Sequence, residues 1–162
     1  MFSSVGKRVL LLLSVCLVAC VAFAQSSPVV FESEIFLVRP DGSLVPATTA
    51  DPGDRVQFGI LATNSGRTTL PAGRVQIHGP VDAGMSYINN SATSDVRTLL
   101  EFSLDGVEFF EDPPMVRDAD GALRLAAPGD YQMLRWTLLE PLEPGATVRL
   151  EYRVLIDPDE RT

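Results

Sequence analysis

The sequence predicts an all-β chain, a sandwich of about seven short strands behind an apolar leader. Three observations carry that expectation. Tyr131 to Ile156 reads as two strands of alternating polarity that meet at Pro144-Gly145. Pro, Gly, Asp and Asn punctuate the rest of the chain at fairly regular intervals. No stretch after the leader carries apolar residues at a helical period.

Met1 to Ala24 is expected to be a signal peptide, helical until it is removed. Lys7 and Arg8 form its basic start and Val9 to Ala22 its apolar run. Ala22-Phe23-Ala24 is the small-x-small pattern that places cleavage between Ala24 and Gln25. The run falls short of the roughly 20 apolar residues that a membrane span requires. A competing reading is that Leu17-Val18-Ala19-Cys20 resembles a bacterial lipobox, in which Cys20 would be acylated and become the first mature residue. The apolar Val21-Ala22-Phe23 then stands where a polar tether would follow, so soluble export to the periplasm, cell surface or medium is preferred. A membrane is a partner only if Cys20 is lipidated or the leader is retained.

Residues 25–162 are expected to form a single domain. Both cysteines, Cys16 and Cys20, lie in the leader, so this domain has no disulfide and depends on packing. Loss of Lys7 and Arg8 leaves 11 basic against 21 acidic residues, a net charge of −10. Nucleic acid and anionic lipid surfaces would repel such a domain and are not expected as partners. It also contains no lysine, which rules out the Lys–Asn cross-links that reinforce many surface adhesins.

Val29 to Val38 alternates as a first strand, with Val29, Phe31, Ile35 and Leu37 on one face. The opposite face carries Val30, Phe36 and Val38 beside Glu32 and Glu34. These three apolar residues need a cover, either the 111–130 connection or a strand of another chain, and are the expected partner edge. Asp41-Gly42 and Asp51-Pro52-Gly53 are turns with a short edge piece or loop between them. Arg55 to Asn64 is a second strand, with Val56, Phe58, Ile60 and Ala62 inward and Arg55, Gln57 and Thr63 outward. Arg74 to His78 is a third, with Val75 and Ile77 inward, and Met85 to Ile88 resumes the pattern. Leu99 to Phe110 reads as a hairpin about Asp105-Gly106. A Pro-, Asp- and Gly-rich connection over 111–130 has room for a short strand at Leu123 to Leu125. In the last pair of strands, Leu134, Trp136 and Leu138 share one face, as do Val148, Leu150, Tyr152, Val154 and Ile156. The only tryptophan thereby falls in the core, expected to pack with Phe58, Val75 and Leu150. Short strands with this punctuation and no helix indicate an immunoglobulin-like Greek-key sandwich.

The order of motifs is also familiar. Asp51-Pro52-Gly53-Asp54 leading into VQFGILATNSG, then IHGPVDAGMSYINNSAT, RWTL and PLEPGATVRLEYRVLI, resembles the bacterial surface-repeat family catalogued as domain of unknown function eleven. The match covers most of Asp51 to Ile156, with Gly79-Pro80-Val81-Asp82-Ala83-Gly84 departing in detail from the family's middle motif. The resemblance implies an immunoglobulin-like sandwich in a secreted or envelope-attached protein, with no catalytic residues.

The residues themselves offer little chemistry. His78 is the only histidine, and alone it supports neither a histidine metal site nor a Ser-His dyad. Asp118-Ala119-Asp120-Gly121 looks like the start of a calcium loop, but the third acidic position and the distal glutamate are missing. Asp118 and Asp120 are thus weak calcium candidates, and no metal or cofactor is expected. Glu108, Glu111 and Asp112 could flank a glycosidic bond only in principle, because carboxylates beside a Pro-Pro turn are ordinary loop residues. Asn89-Asn90-Ser91 matches a glycosylation pattern that matters only in a eukaryotic host. Two functions remain: a non-enzymatic structural or adhesive module of the bacterial envelope, binding a protein or glycan through loops or a strand edge, or an accessory subunit that stabilises a larger envelope enzyme or transport complex.

Overall fold

The computed structural model describes residues 28–158. The expectations for the signal peptide, for cleavage between Ala24 and Gln25 and for lipidation of Cys20 lie outside the described residues. Among those residues the chain is all-β, with eleven strands and one short 3-10 turn at Pro128–Asp130. Three long strands, β1 (Val29–Val38), β3 (Arg55–Asn64) and β11 (Thr147–Ile156), lie side by side. β2 (Leu44–Pro46) extends the sheet beyond β1, and the short β5 (Met85–Tyr87) and β6 (Thr93–Ser94) both pair with β11. A second sheet, β4 (Gln76–Pro80), β10 (Met133–Leu138) and β7 (Thr98–Ser103), uses β10 as its centre. β8 (Met115–Arg117) and β9 (Leu123–Leu125) form a separate hairpin within the 111–130 connection.

The layout is an immunoglobulin-like sandwich. The chain crosses between the sheets after β3, β4, β6 and β10, and β11 returns to lie beside β3, which is the Greek-key feature. Alternation decides the core. Leu134, Trp136 and Leu138 from one sheet and Leu150, Tyr152 and Val154 from the other are all at most 1% exposed. Trp136 lies 5.8 Å from the Tyr152 ring, which in turn stacks on Phe58 at 5.2 Å. Val75 and Leu150 belong to the same buried cluster, with Phe58 at its margin. Burial of each such side chain stabilises the fold by about 1.5–3 kcal/mol.

β10 and β11 meet through Pro144-Gly145 but lie in opposite sheets, so the turn between them is an arch. Asn64, fully buried at the end of β3, holds this arch. Its main-chain N–H donates to the Ala146 carbonyl and its own carbonyl accepts the Gly145 N–H. Its side-chain amide donates to the Thr68 and Leu142 carbonyls, each at 2.9 Å, and accepts the Gly66 N–H at 3.0 Å. Gly145 takes φ +77° in the turn, a conformation that glycine adopts without strain.

Some local expectations change, among them the third strand, expected at Arg74 to His78 and found at Gln76–Pro80. Gln57, expected outward and wet, is 3% exposed, because β3 is a central strand and Arg153 of β11 reaches over it to donate to its Oε1 at 2.8 Å. The expected 99–110 hairpin is reduced to one bridge, between Phe102 and Phe110. Asp105 is the cause. Its Oδ1 accepts the N–H groups of Val107 and Glu108, at 2.8 and 2.9 Å, so a side chain closes the loop where a strand ladder would have done so. Those same N–H groups hold its carboxyl below the ordinary aspartate range, and Val107 is left 81% exposed.

Candidate functional site

The two sheets are unequal in width, and that inequality leaves an open apolar groove along one flank. The narrower sheet lies over β11 and β3: the Tyr152 hydroxyl donates to the Pro80 carbonyl at 2.6 Å, and Gly79 abuts the Trp136 and Tyr152 rings. β1 therefore projects past the edge of β4. On its inward face Val29 and Leu37, at the ends, pack against the core, whereas Phe31 and Ile35, in the middle, are 51% and 42% exposed. Register confirms that these residues face inward, since Phe31 pairs with the buried Ala62 and Ile35 with Phe58. Together with Ile77 and Pro80 of β4 they line an open groove of about 510 Å³. Asp82 is the only carboxylate among its walls.

Among the described residues no strand pairs with the outer edge of β4, which faces this groove. The Val81 N–H donates to the Gln132 carbonyl and the Leu138 N–H to the Val75 carbonyl. Odd-numbered residues of β4 thus carry the bonds to β10, and in an antiparallel ladder the amides of Gln76 and His78 must point the other way. Pro80 contributes no donor, and its carbonyl is engaged by Tyr152.

The outer face of the narrow sheet is polar and internally satisfied. Arg135 forms a two-pronged pair with Glu101, both bonds 2.8 Å, and its guanidinium lies 3.9 Å from the centre of the Phe109 ring. His78, opposite Arg135 on β4, stacks on the same ring at 5.5 Å. Partial burial, and secondarily the Arg135 charge, lower its pKa below the ordinary 6.5. The cross-strand register brings the row together, and Phe109 joins it from the loop that Asp105 closes.

Of the residues expected to form a partner edge, Val30 is 49% exposed on the outer face of β1. Phe36 and Val38 are half-buried and pair with Pro46 and Leu44 of β2, so that half of β1 is flanked by another strand. The Asp41-Gly42 turn folds β2 back, with Asp41 Oδ1 accepting the Ser43 N–H at 2.9 Å. Glu34 is occupied within the sheet. Arg149 reaches it across Gly59 of β3 at 2.8 Å and also binds Glu151 at 2.7 Å. The 111–130 connection packs Val116 and buried Ala126 against the core cluster.

Asp118 and Asp120 lie in the β8–β9 turn. Asp118 Oδ1 accepts the N–H groups of Asp120 and Ala122, at 3.1 and 2.9 Å, so it caps its own loop. Among the described residues no three His, Cys, Asp or Glu side chains are grouped as a metal ion requires. Glu108, Glu111 and Asp112 are exposed loop residues. Asn90 has φ +57° in the 88–91 turn, where Asn89 Oδ1 accepts its N–H. The groove was not legible in the sequence, because alternation assigns Phe31 and Ile35 to a face without saying how far the opposite sheet extends.

No family model matches the chain, and no curated protein matches it. Two solved structures match the chain weakly, both from the cellulosome scaffoldin cipA of Clostridium thermocellum. One is a CBM3a-L domain with flanking linkers, 13% identical over 78% of this chain and 67% of that one, with a TM-score of 0.32. The other is a family 3a carbohydrate-binding module, 13% identical over 78% of this chain and 75% of that one, with a TM-score of 0.31. At TM-scores this low the two likenesses carry no argument about this chain.

Proposed function

We propose that this chain is an exported, non-enzymatic structural or adhesive module of the bacterial cell envelope, and that it binds a polypeptide partner along the open flank of its sandwich. The observation that carries this reading is the uncovered pair Phe31 and Ile35 on the inward face of β1. Apolar side chains on a sandwich's inner face cost free energy in water, about 25 cal/mol for each Å² left exposed, and a contiguous exposed patch marks a contact surface. A polypeptide suits the groove better than a glycan. Sugar rings stack on the broad faces of Trp and Tyr, whereas Trp136, Tyr87, Tyr131 and Tyr152 are all at most 5% exposed. Among the Phe, Trp and Tyr rings lining the groove Phe31 alone is exposed, and it is flanked by the aliphatic Ile35, Ile77 and Pro80. The leader and the resemblance to the surface-repeat family support an envelope location.

Two measurements test the reading. Intact mass of the exported protein should place its N-terminus at Gln25; a diacylglyceryl Cys20 would replace soluble export with membrane attachment. Envelope extracts cross-linked to the tagged protein should yield a partner that Phe31→Asp with Ile35→Asp no longer captures, at a melting temperature near wild type. Undiminished capture by that variant would exclude the groove as the contact surface.

A further inference from the structure

The groove combines two features that are separately common but here lie side by side: an apolar floor and an unpaired strand edge. Resting on the reading that the groove binds a polypeptide, we propose that it is a strand-addition site: an extended, basic segment of another protein pairs with the free edge of β4 and roofs Phe31 and Ile35. An added strand would place the main chain about 4.8 Å beyond β4, over the projecting part of β1. The amides of Gln76 and His78 would bond to it, and the narrow sheet would gain the breadth it lacks. Phe31 and Ile35 are four residues apart on one strand, roughly 13 Å at about 3.3 Å per residue. Side chains on one face of a strand recur about every 6.7 Å, so three inward-facing apolar residues of the incoming segment span that floor.

Charge selects the occupant. Asp82 sits at the Pro80 end of the groove and is the only carboxylate in its lining. The whole chain carries a net charge of −8, so an acidic segment, including a second copy of this chain, is repelled at long range. The expected occupant therefore alternates apolar and polar residues and ends in Lys or Arg against Asp82. Arg74, at the opposite end beside Val29 and Phe31, disfavours a second cation there.

The test is selection of displayed random nine-residue peptides on the purified exported protein, followed by hydrogen exchange with the winning synthetic peptide. The expected peptides alternate apolar and polar residues with Lys or Arg at one end, and they slow exchange of the Gln76 and His78 amides at least tenfold. Phe31→Asp, an exposed position, should weaken them at least tenfold, and Asp82→Lys should switch the preferred terminal residue from basic to acidic. Failure to select such peptides, or binding that leaves the two amides unprotected, overturns strand addition. So does slow exchange of those amides in the free monomer, which would mean that the chain's own residues fill the site, or a dimer that Phe31→Asp dissociates. If the envelope partner still depends on Phe31 while Gln76 and His78 exchange freely in the complex, the groove remains the binding surface and only strand addition falls.

Discussion

Gly79→Ala tests how tightly the sheet that bears the groove is fixed against its partner. A methyl group at Gly79 would lie 2.8 Å from a ring carbon of Trp136 and 2.8 Å from one of Tyr152. Carbon atoms settle at about 3.5–4.0 Å, so the rings or the strand must give way by roughly 1 Å. Neither ring has room: each is 1% exposed, and the Tyr152 hydroxyl is bonded to the Pro80 carbonyl one residue along the same strand. Overpacking of this kind costs about 1–3 kcal/mol. Restriction of the unfolded chain by alanine offsets about 0.4–1 kcal/mol. The difference is a net loss of up to about 2.6 kcal/mol, centred near about 1.3 kcal/mol, read as a lower urea midpoint at unchanged slope. Tyr152→Phe removes the anchor and lets that ring move, so the double variant should lose less than the sum of the single losses, by about 0.5 kcal/mol or more. A stabilised Gly79→Ala, or strictly additive single losses, would refute the claim that the rings are held in place.

Trp136→Ala should cost about 3–5 kcal/mol in denaturant titration, since it empties the centre of the core; a loss under about 1 kcal/mol would mean that the ring is not packed as described. Asn64→Ala removes the bonds of the side-chain amide to the Leu142 and Thr68 carbonyls and to the Gly66 N–H, three bonds of about 0.5–1.5 kcal/mol each, and should cost about 2–4 kcal/mol. If that variant unfolds within about 0.5 kcal/mol of wild type, the arch is held by something else. His78 has a folded pKa below its unfolded value of 6.5, so its contribution to stability is complete above that value and is lost as pH falls through the lowered folded pKa. His78→Gln should flatten the decline in urea midpoint between about pH 7.5 and pH 5, and an unchanged decline would assign it to carboxylates.

Much of the fold was legible along the chain. β1 and β3 have the bounds that alternation assigns them, and Trp136, Leu150 and Tyr152 are buried because a strand's period of two commits every second residue to one face. Gly at positive φ marked the turns at Gly42, Gly53, Gly106 and Gly145. The 99–110 hairpin was less legible, because an Asp-Gly pair signals a turn whether strand or side chain closes it, and Asp105 closes this one. Gln57 shows a related limit: alternation gives its face, but a central strand can bury a polar side chain beneath a neighbour's arginine.

By itself the sequence determined where the long strands β1, β3 and β11 run, which face their side chains take and an acidic balance of charge. It did so because these properties are local or additive: pleat sets facing, and charge sums without regard to fold. Only the tertiary structure decided that β10 and β11 part into opposite sheets, that Asn64 holds the arch between them, and that the narrower sheet stops at β4. Those outcomes depend on which strands pair across long separations in sequence. Phe31 carries the same alternation signal as Leu37, yet Leu37 packs against the core and Phe31 faces an open groove, because cover comes from the opposite sheet and not from the strand itself.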